Sequence, residues 1–101
     1  SMRQAIILGV RPLMARNRKF GKIPLLSGGW RIQCENVSPE TKLRLTLESR
    51  VPGEHGTFVK PSVYEGESFP TFAGPVDVTL EILEAGKEQY INVFAVAHDG
   101  P

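Results

Sequence analysis

Strict alternation between apolar and polar residues is the feature that most restricts the fold of this chain. In residues 42–48, Leu43, Leu45 and Leu47 fall on one side, and charged or hydroxyl side chains fall on the other. Residues 76–82 repeat the pattern, with valine, leucine or isoleucine at every second position. A period of two residues predicts a half-buried β-strand in each segment.

The polar faces of these two segments carry opposite charges. If the strands are neighbours, Lys42 and Arg44 face Asp77 and Glu81 across the sheet. Each such pair contributes about 0.2–1 kcal/mol. That the two segments are neighbours is a hypothesis.

Further segments also have strand composition. They are residues 4–10, 30–34 and 90–97, together with 57–64, which Pro61 restricts to a sheet edge or a bend. Ten glycines and eight prolines in 101 residues indicate many turns, and the best helical candidate is only the short stretch 13–17. We predict one all-β domain over residues 3–100, with about six or seven mainly antiparallel strands. A β-sandwich and a small closed, OB-like barrel both fit.

Two turns follow from local composition. Ser27, Gly28 and Gly29 are typical of a turn before a strand that begins at Trp30. Residues 84–88 join two strong strand segments at hairpin length, with Gly86 free to adopt positive φ. We therefore expect a hairpin between the last two strands.

The sequence offers little to a catalytic or metal site. Cys34, His55 and His98 lack the close ligand pairs that zinc sites use. Nucleophile-elbow and phosphate-binding motifs are also absent from the sequence, and the acidic residues fall mostly at outward strand positions or in turns. We expect a non-enzymatic protein without a cofactor.

Charge is distributed unevenly along the chain. Residues 1–34 hold seven of the twelve basic residues and none of the eleven acidic ones. A segment of formal charge +7 therefore precedes a remainder of −6, although the whole chain is only +1. Asymmetry of this kind points to an interaction with a charged partner.

The basic segment suggests single-stranded DNA or RNA as that partner. Cationic side chains follow phosphates, and interleaved aromatic rings stack on bases. In an OB-like barrel, a loop between the first two strands supplies such residues. The predicted nucleic-acid-binding residues are Arg16, Arg18, Lys19, Phe20, Lys22, Trp30 and Arg31.

Two other functions fit the same sequence. One is a structural or accessory domain that binds a protein partner or self-assembles into a homo-oligomer within a larger complex, such as a surface or virion component. The other is carbohydrate binding through Trp30, Tyr64, Phe69 and Phe72. The segment 69–75 is either a loop that covers one end of the core or an exposed aromatic ledge that Phe58 and Tyr64 extend.

Ser1 and Met2 resemble a tag remnant followed by an initiator methionine. A single cysteine excludes an internal disulfide and fits an intracellular, reducing compartment. Apolar runs in the sequence are too short to span a bilayer, so we expect no membrane partner.

Overall fold

One antiparallel sheet contains every strand of the described chain. The computed structural model describes residues 5–12, 19–84, 86 and 90–98, with side chains from residue 19 onward except that of Tyr90. Its strands are β1 (Ala5–Pro12), β2 (Lys19–Glu35), β3 (Lys42–Ser49), β4 (Ser62–Gly66), β5 (Phe72–Glu84) and β6 (Tyr90–Ala97). A short 3-10 turn, Glu54–Gly56, is the one helical element in these residues. The predicted all-β, antiparallel character is confirmed.

The sheet order is β1-β6-β2-β5-β3-β4. β1 and β4 therefore form the two edges, and the pairing within the described residues does not close into a barrel. β4 begins directly after Pro61, in agreement with the prediction that this proline restricts its segment to an edge or bend.

The alternating segments form neighbouring strands, as their sequences predicted. Leu43 and Leu45 of β3 are completely buried, and the apolar residues of β5 point into the same core. Arg44 lies directly opposite Glu81, but Lys42 lies opposite Glu84 rather than another acid of the segment 76–82. Alternation therefore predicted the faces of both strands correctly.

β2 joins the two halves of the sheet: β5, β3 and β4 lie on one side of it, and β6 and β1 lie on the other. Its first part pairs with β5, where Lys19 lies opposite Glu81, and its last part pairs with β6, where Glu35 lies opposite Asn92. A straight strand of this length would span about 55 Å. However, the end of β5 and the start of β6 are joined by only residues 85–89, which reach about 22 Å at most. β2 must therefore bend so that its two ends approach each other.

Glycines at the middle of β2 permit this bend. The strand has register shifts between Phe20 and Ile23 and between Leu25 and Gly28, and Gly28 has a φ of +125°. Residues 27–29, predicted as a turn, thus lie within a continuous strand as an irregularity. A β-bulge bends the strand that contains it and increases the twist of that strand. The two parts of β2 can therefore run in different directions and pair with different strands.

The predicted hairpin between the last two strands is wrong. β5 and β6 follow each other in sequence, but β2 lies between them in the sheet. Residues 85 and 87–89 of the predicted turn lie outside the described residues, as does the helical candidate 13–17. The Gly86 amide donates to the Thr41 hydroxyl at 3.0 Å, which ties this connection to the β2–β3 turn.

The inward faces of the two halves share one hydrophobic core. It draws residues from β2, β3, β5 and β6, and Ile91, Val93 and Ala95 of β6 are completely buried within it. The bend in β2 brings the faces of the two halves to the same apolar cluster. A sheet that encloses its own core needs no covering helix.

We predict that Gly29→Ala and Gly74→Ala each destabilise the fold. A Cβ at Gly29 would overlap the His98 carbonyl oxygen, and one at Gly74 would overlap the Leu26 carbonyl oxygen. Because hydrogen-bonded backbone moves less readily than a side chain, we expect losses of about 1–3 kcal/mol in denaturant unfolding. Gly21→Ala is the comparison with a smaller expected loss, since the three atoms nearest to its Cβ all belong to the Thr79 side chain, at 3.0 Å or more. Equal stability of all three variants would contradict this explanation of the bend.

Candidate functional site

The structure describes three of the five basic residues predicted to bind nucleic acid, and these three lie on two different parts of β2. Lys19 and Lys22 lie on the part of β2 that pairs with β5, whereas Arg31 lies beyond the bend, opposite Val96 of β6. Residues 19–22 form part of a strand rather than the predicted loop. The Lys22 ammonium is 3.1 Å from the Glu48 carboxylate, so an acid of the same chain already neutralises it.

Two other predicted residues, Arg16 and Arg18, lie outside the described residues. Arg31 is half-buried, and its guanidinium donates to the Gln33 side-chain oxygen at 3.5 Å.

The outer face formed by β2, β5 and β3 is a network of paired charges. Glu48 lies directly opposite Asp77, an arrangement of like charges that is destabilising by itself. Lys22 contacts Glu48, and the Arg50 guanidinium contacts Asp77 at 2.7 Å. The basic segment and the β3–β4 loop thus each supply one cation that relieves this repulsion.

Both aromatic residues of the predicted site are core residues. Phe20 is 2% exposed and Trp30 is 8% exposed. The Trp30 indole N–H donates to the Leu26 carbonyl oxygen at 2.8 Å, so its polar atom is also satisfied inside the protein. The alternation of β2 thus directs both rings into the core, where neither presents an open face to a base.

Exposed apolar side chains are concentrated instead in the loop between β3 and β4. We call Val51, Phe58 and Val59 the loop patch; Phe58 is 85% exposed, and both valines are exposed as well. Contiguous exposed apolar groups commonly mark interaction sites, and these three residues line one common cavity. The loop patch is therefore the strongest candidate surface in the described chain.

Hydrogen bonds fix the conformation of this loop. The Arg50 amide donates to the Pro75 carbonyl at 3.1 Å, which anchors the loop to β5. Within the loop, the Gly53 amide donates to the Thr57 carbonyl at 2.8 Å, and the Thr57 amide and hydroxyl both donate to the Glu54 carbonyl, at 3.1 and 2.7 Å. His55 and Gly56 have φ values of 56° and 73°, which close the turn. Phe58 thus projects from a folded loop.

Two adjacent cavities lie beside the loop patch. The first, of about 320 Å³, is lined by all three loop-patch residues, and the second, of about 160 Å³, by Val59, Tyr64 and Phe72. Because Val59 lines both, the loop patch and the start of β4 form one continuous surface. It combines apolar walls with the polar groups of Ser49 and Lys60.

This surface agrees in part with the aromatic ledge considered from the sequence. Phe69 and Phe72 are partly buried against the core, as expected for a loop that covers one end of it. Tyr64 and Phe58, the two residues that extended the ledge, are exposed. The sequence therefore suggested an exposed aromatic surface in this region, but the exposed rings are those of Phe58 and Tyr64, whereas Phe69 and Phe72 pack against the core.

Cys34 is an inert thiol rather than a nucleophile. It is half-buried against the core, and burial raises its pKa from the ordinary value of 9.0 to about 11. Thiolates, not thiols, attack electrophiles and bind metals. Cys34 therefore matches the core role predicted from its position beside Ile32.

No group of three or more potential metal ligands occurs among the described residues. Within the same part of the chain, no helix has the length and apolar character needed to cross a membrane.

Comparison of the chain with protein-family models, with curated proteins and with solved structures finds no match.

We predict that an oligonucleotide leaves the fluorescence of Trp30 unchanged. Trp30 is the single tryptophan of the chain and lies in the core, so a base cannot stack on it. The measurement is a titration of single-stranded DNA at low salt, followed by tryptophan emission. A chain carrying Trp30→Phe and Phe58→Trp is the control with an exposed ring. Saturable quenching of the native Trp30 would contradict its buried position.

We predict that the folded chain reacts slowly with a thiol reagent at pH 8. A pKa of about 11 instead of 9.0 lowers the thiolate fraction there by about 100-fold. Above pH 9 the unfolded chain ionises first, so the free energy of unfolding should fall between pH 9 and about 11. Cys34→Ala should lack this contribution. Equal rates for folded and urea-unfolded chains would show that the thiol is not buried.

Proposed function

We propose that this chain is a non-enzymatic protein-interaction module and that the loop patch is its contact surface. The observation that carries the proposal is the 85% exposure of Phe58 on a hydrogen-bonded loop. Aromatic residues are enriched at protein interfaces, where a few of them supply most of the binding energy. We also interpret the bent sheet as a two-layered sandwich, which provides a rigid base for such a loop.

The fixed loop favours binding because it lowers the entropy lost on association. A mobile loop would have to be ordered by its partner, whereas the loop from Arg50 to Pro61 is already closed by internal hydrogen bonds. An aromatic side chain with only two rotatable bonds adds little further loss. Phe58 can therefore act as an anchor without reorganisation of the loop.

The cavities beside the loop patch indicate the chemistry of the partner. Valine and proline side chains line much of the first cavity, whose size suits one or two apolar side chains of a partner. Glu48 and Arg50 also line it, but Lys22 and Asp77 neutralise their charges. These features favour an apolar or aromatic peptide segment of another protein.

Other classes of ligand have less support. Single-stranded nucleic acid could not stack on Phe20 and Trp30, because both rings are buried. Lys22, which would contact a phosphate, already pairs with Glu48. A carbohydrate could not contact Trp30, because that ring is buried, and the rings of Phe69 and Phe72 pack against the core. Tyr64 remains the exposed ring of that set, and it borders the surface proposed here.

We predict that peptides selected from a random displayed library against the immobilised chain depend on Phe58. Phe58→Ser removes the exposed ring, should leave the fold intact because the ring is 85% exposed, and should weaken binding by at least about 10-fold. Binding is measured by titration of purified peptides. The enriched peptides should contain aromatic or large aliphatic residues.

Leu26→Ser is the matched control. Leu26 is 80% exposed but lies on β2, outside both cavities, so its replacement removes apolar surface without changing the loop patch. Peptides that bind both variants and the native chain equally would contradict the proposal. Binding of an oligonucleotide or a sugar in place of any peptide would also contradict it.

A further inference from the structure

The second cavity beside the loop patch lies where the core reaches the β4 edge of the sheet. Leu47 and Val76, both buried in the core, line it together with the half-buried ring of Phe72. Its volume of about 160 Å³ is close to that of a cavity that holds one benzene-sized group. The apolar floor of the cavity therefore has room for a single apolar side chain.

Polar groups surround this floor at the protein surface. Lys60, Ser62 and Tyr64 follow each other at every second position, line the cavity and are exposed. Ser62 lies opposite Leu47 and Tyr64 opposite Leu45, and facing residues of paired strands share one side of the sheet. The core-facing side of β4 therefore supplies the cavity with a rim that bears an ammonium group and two hydroxyl groups.

The rim groups can donate hydrogen bonds, and the described part of the chain gives them no acceptor. Neither the Lys60 ammonium nor the hydroxyls of Ser62 and Tyr64 form a hydrogen bond or ion pair there. Lys60 is the one charged residue among the described residues that line the cavity. Glu65 lies on the opposite face of β4, where Arg44 binds its carboxylate at 2.8 Å. The rim therefore complements an anionic group of a partner.

We propose that the peptide partner of the loop patch binds through its carboxyl terminus. The side chain of its last residue occupies the floor of the second cavity, and its terminal carboxylate contacts Lys60 at the rim. This inference rests on the proposed function, because it specifies which part of a partner protein the interaction module recognises. The partner is a protein whose chain ends in an aliphatic or aromatic residue.

The arrangement of floor and rim favours a chain terminus over an internal acidic residue. In the last residue of a peptide, the side chain and the carboxylate leave the same Cα atom in different directions, so one reaches the floor while the other stays at the rim. An aspartate or glutamate side chain carries its carboxylate at the tip. Filling the floor with it would place the charge against Leu47 and Val76, away from water, which is costly. Capture of a chain terminus is a recurring mode of peptide recognition.

The rest of the peptide lies along the loop patch. Ser49 and Val59 line both cavities, so residues that precede the terminus can reach the first cavity and the ring of Phe58. The Ser49 hydroxyl already donates to the Val51 carbonyl at 2.8 Å, so its proton is not available to the carboxylate. Recognition of the terminal charge therefore depends on Lys60, with the hydroxyls of β4 beside it.

Paired synthetic peptides test the proposal. The probes are short peptides of mixed sequence that end in valine, leucine, isoleucine or phenylalanine, each prepared as a free acid and as a carboxyl-terminal amide and titrated against the full chain. The free acids should bind at least about 10-fold more tightly, because the amide lacks the charge that Lys60 attracts. Lys60→Gln should weaken the free acids to the level of the amides. Lys19→Gln is the matched control: it removes an equal exposed charge from β2, outside both cavities, and should keep the preference.

Equal binding of free acids and amides, or a preference for free acids that persists in Lys60→Gln, would overturn the proposal. So would amidated peptides whose binding depends on an internal aspartate or glutamate. Peptides that bind in any of these ways and are weakened by Phe58→Ser would still support the loop patch as the contact surface, so the proposed function would stand. Failure of every free acid and every amide to bind would refute both.

Discussion

The short connection between β5 and β6 is the constraint on which the fold depends. Since only residues 85–89 join strands that pair with opposite ends of β2, the central strand must bend, and the sheet must fold over its own apolar face. Gly28 and Gly29 supply the backbone freedom and the absence of a side chain at that point. Gly74, across from Gly28 in β5, lets the partner strand follow. The short β5–β6 connection and the absence of side chains at these glycines thus explain how the sheet folds around its core.

The uneven distribution of charge along the sequence acquires a different meaning in the folded chain. A strand from the basic segment lies against strands from the acidic remainder, so part of the difference is neutralised inside the molecule. Lys22 with Glu48 is the clearest case, since the two residues come from different parts of the sequence and meet across the sheet. Each exposed pair contributes less than about 1 kcal/mol to stability. Their larger effect is to keep like charges on β3 and β5 from repelling each other.

The sequence predicted the orientation of side chains well because alternation is a local property. The inward faces of β3 and β5, their adjacency and the core position of Cys34 all followed from period-two patterns or simple charge pairing. Strand order did not follow, because it depends on contacts between distant residues. The segment 84–88 has the composition of a hairpin turn, and nothing in it reveals that β2 lies between the two strands.

The candidate site was harder to predict for a related reason. Phe20 lies among four cations in sequence, yet strand periodicity turns its ring into the core while Lys19 and Lys22, the two described cations, face outward. Phe58 lies in a loop, where no periodicity indicates whether a side chain is buried. Its exposure depends on the tertiary path of the β3–β4 loop and on hydrogen bonds such as that between Gly53 and Thr57.

The bridging role of β2 also determines when the native topology can form during synthesis. β2 is synthesised early, but its neighbours in the sheet, β5 and β6, lie far downstream in the sequence. Lys19 cannot pair until Glu81 has been synthesised, and the pairing of Trp30 with β6 requires Ala97. The distance between such partners makes closure slow, since chain entropy is lost before the contacts form. The nascent chain therefore presents an apolar, unpaired strand until its last third has left the ribosome. During that interval the unpaired strand can associate with a wrong partner strand.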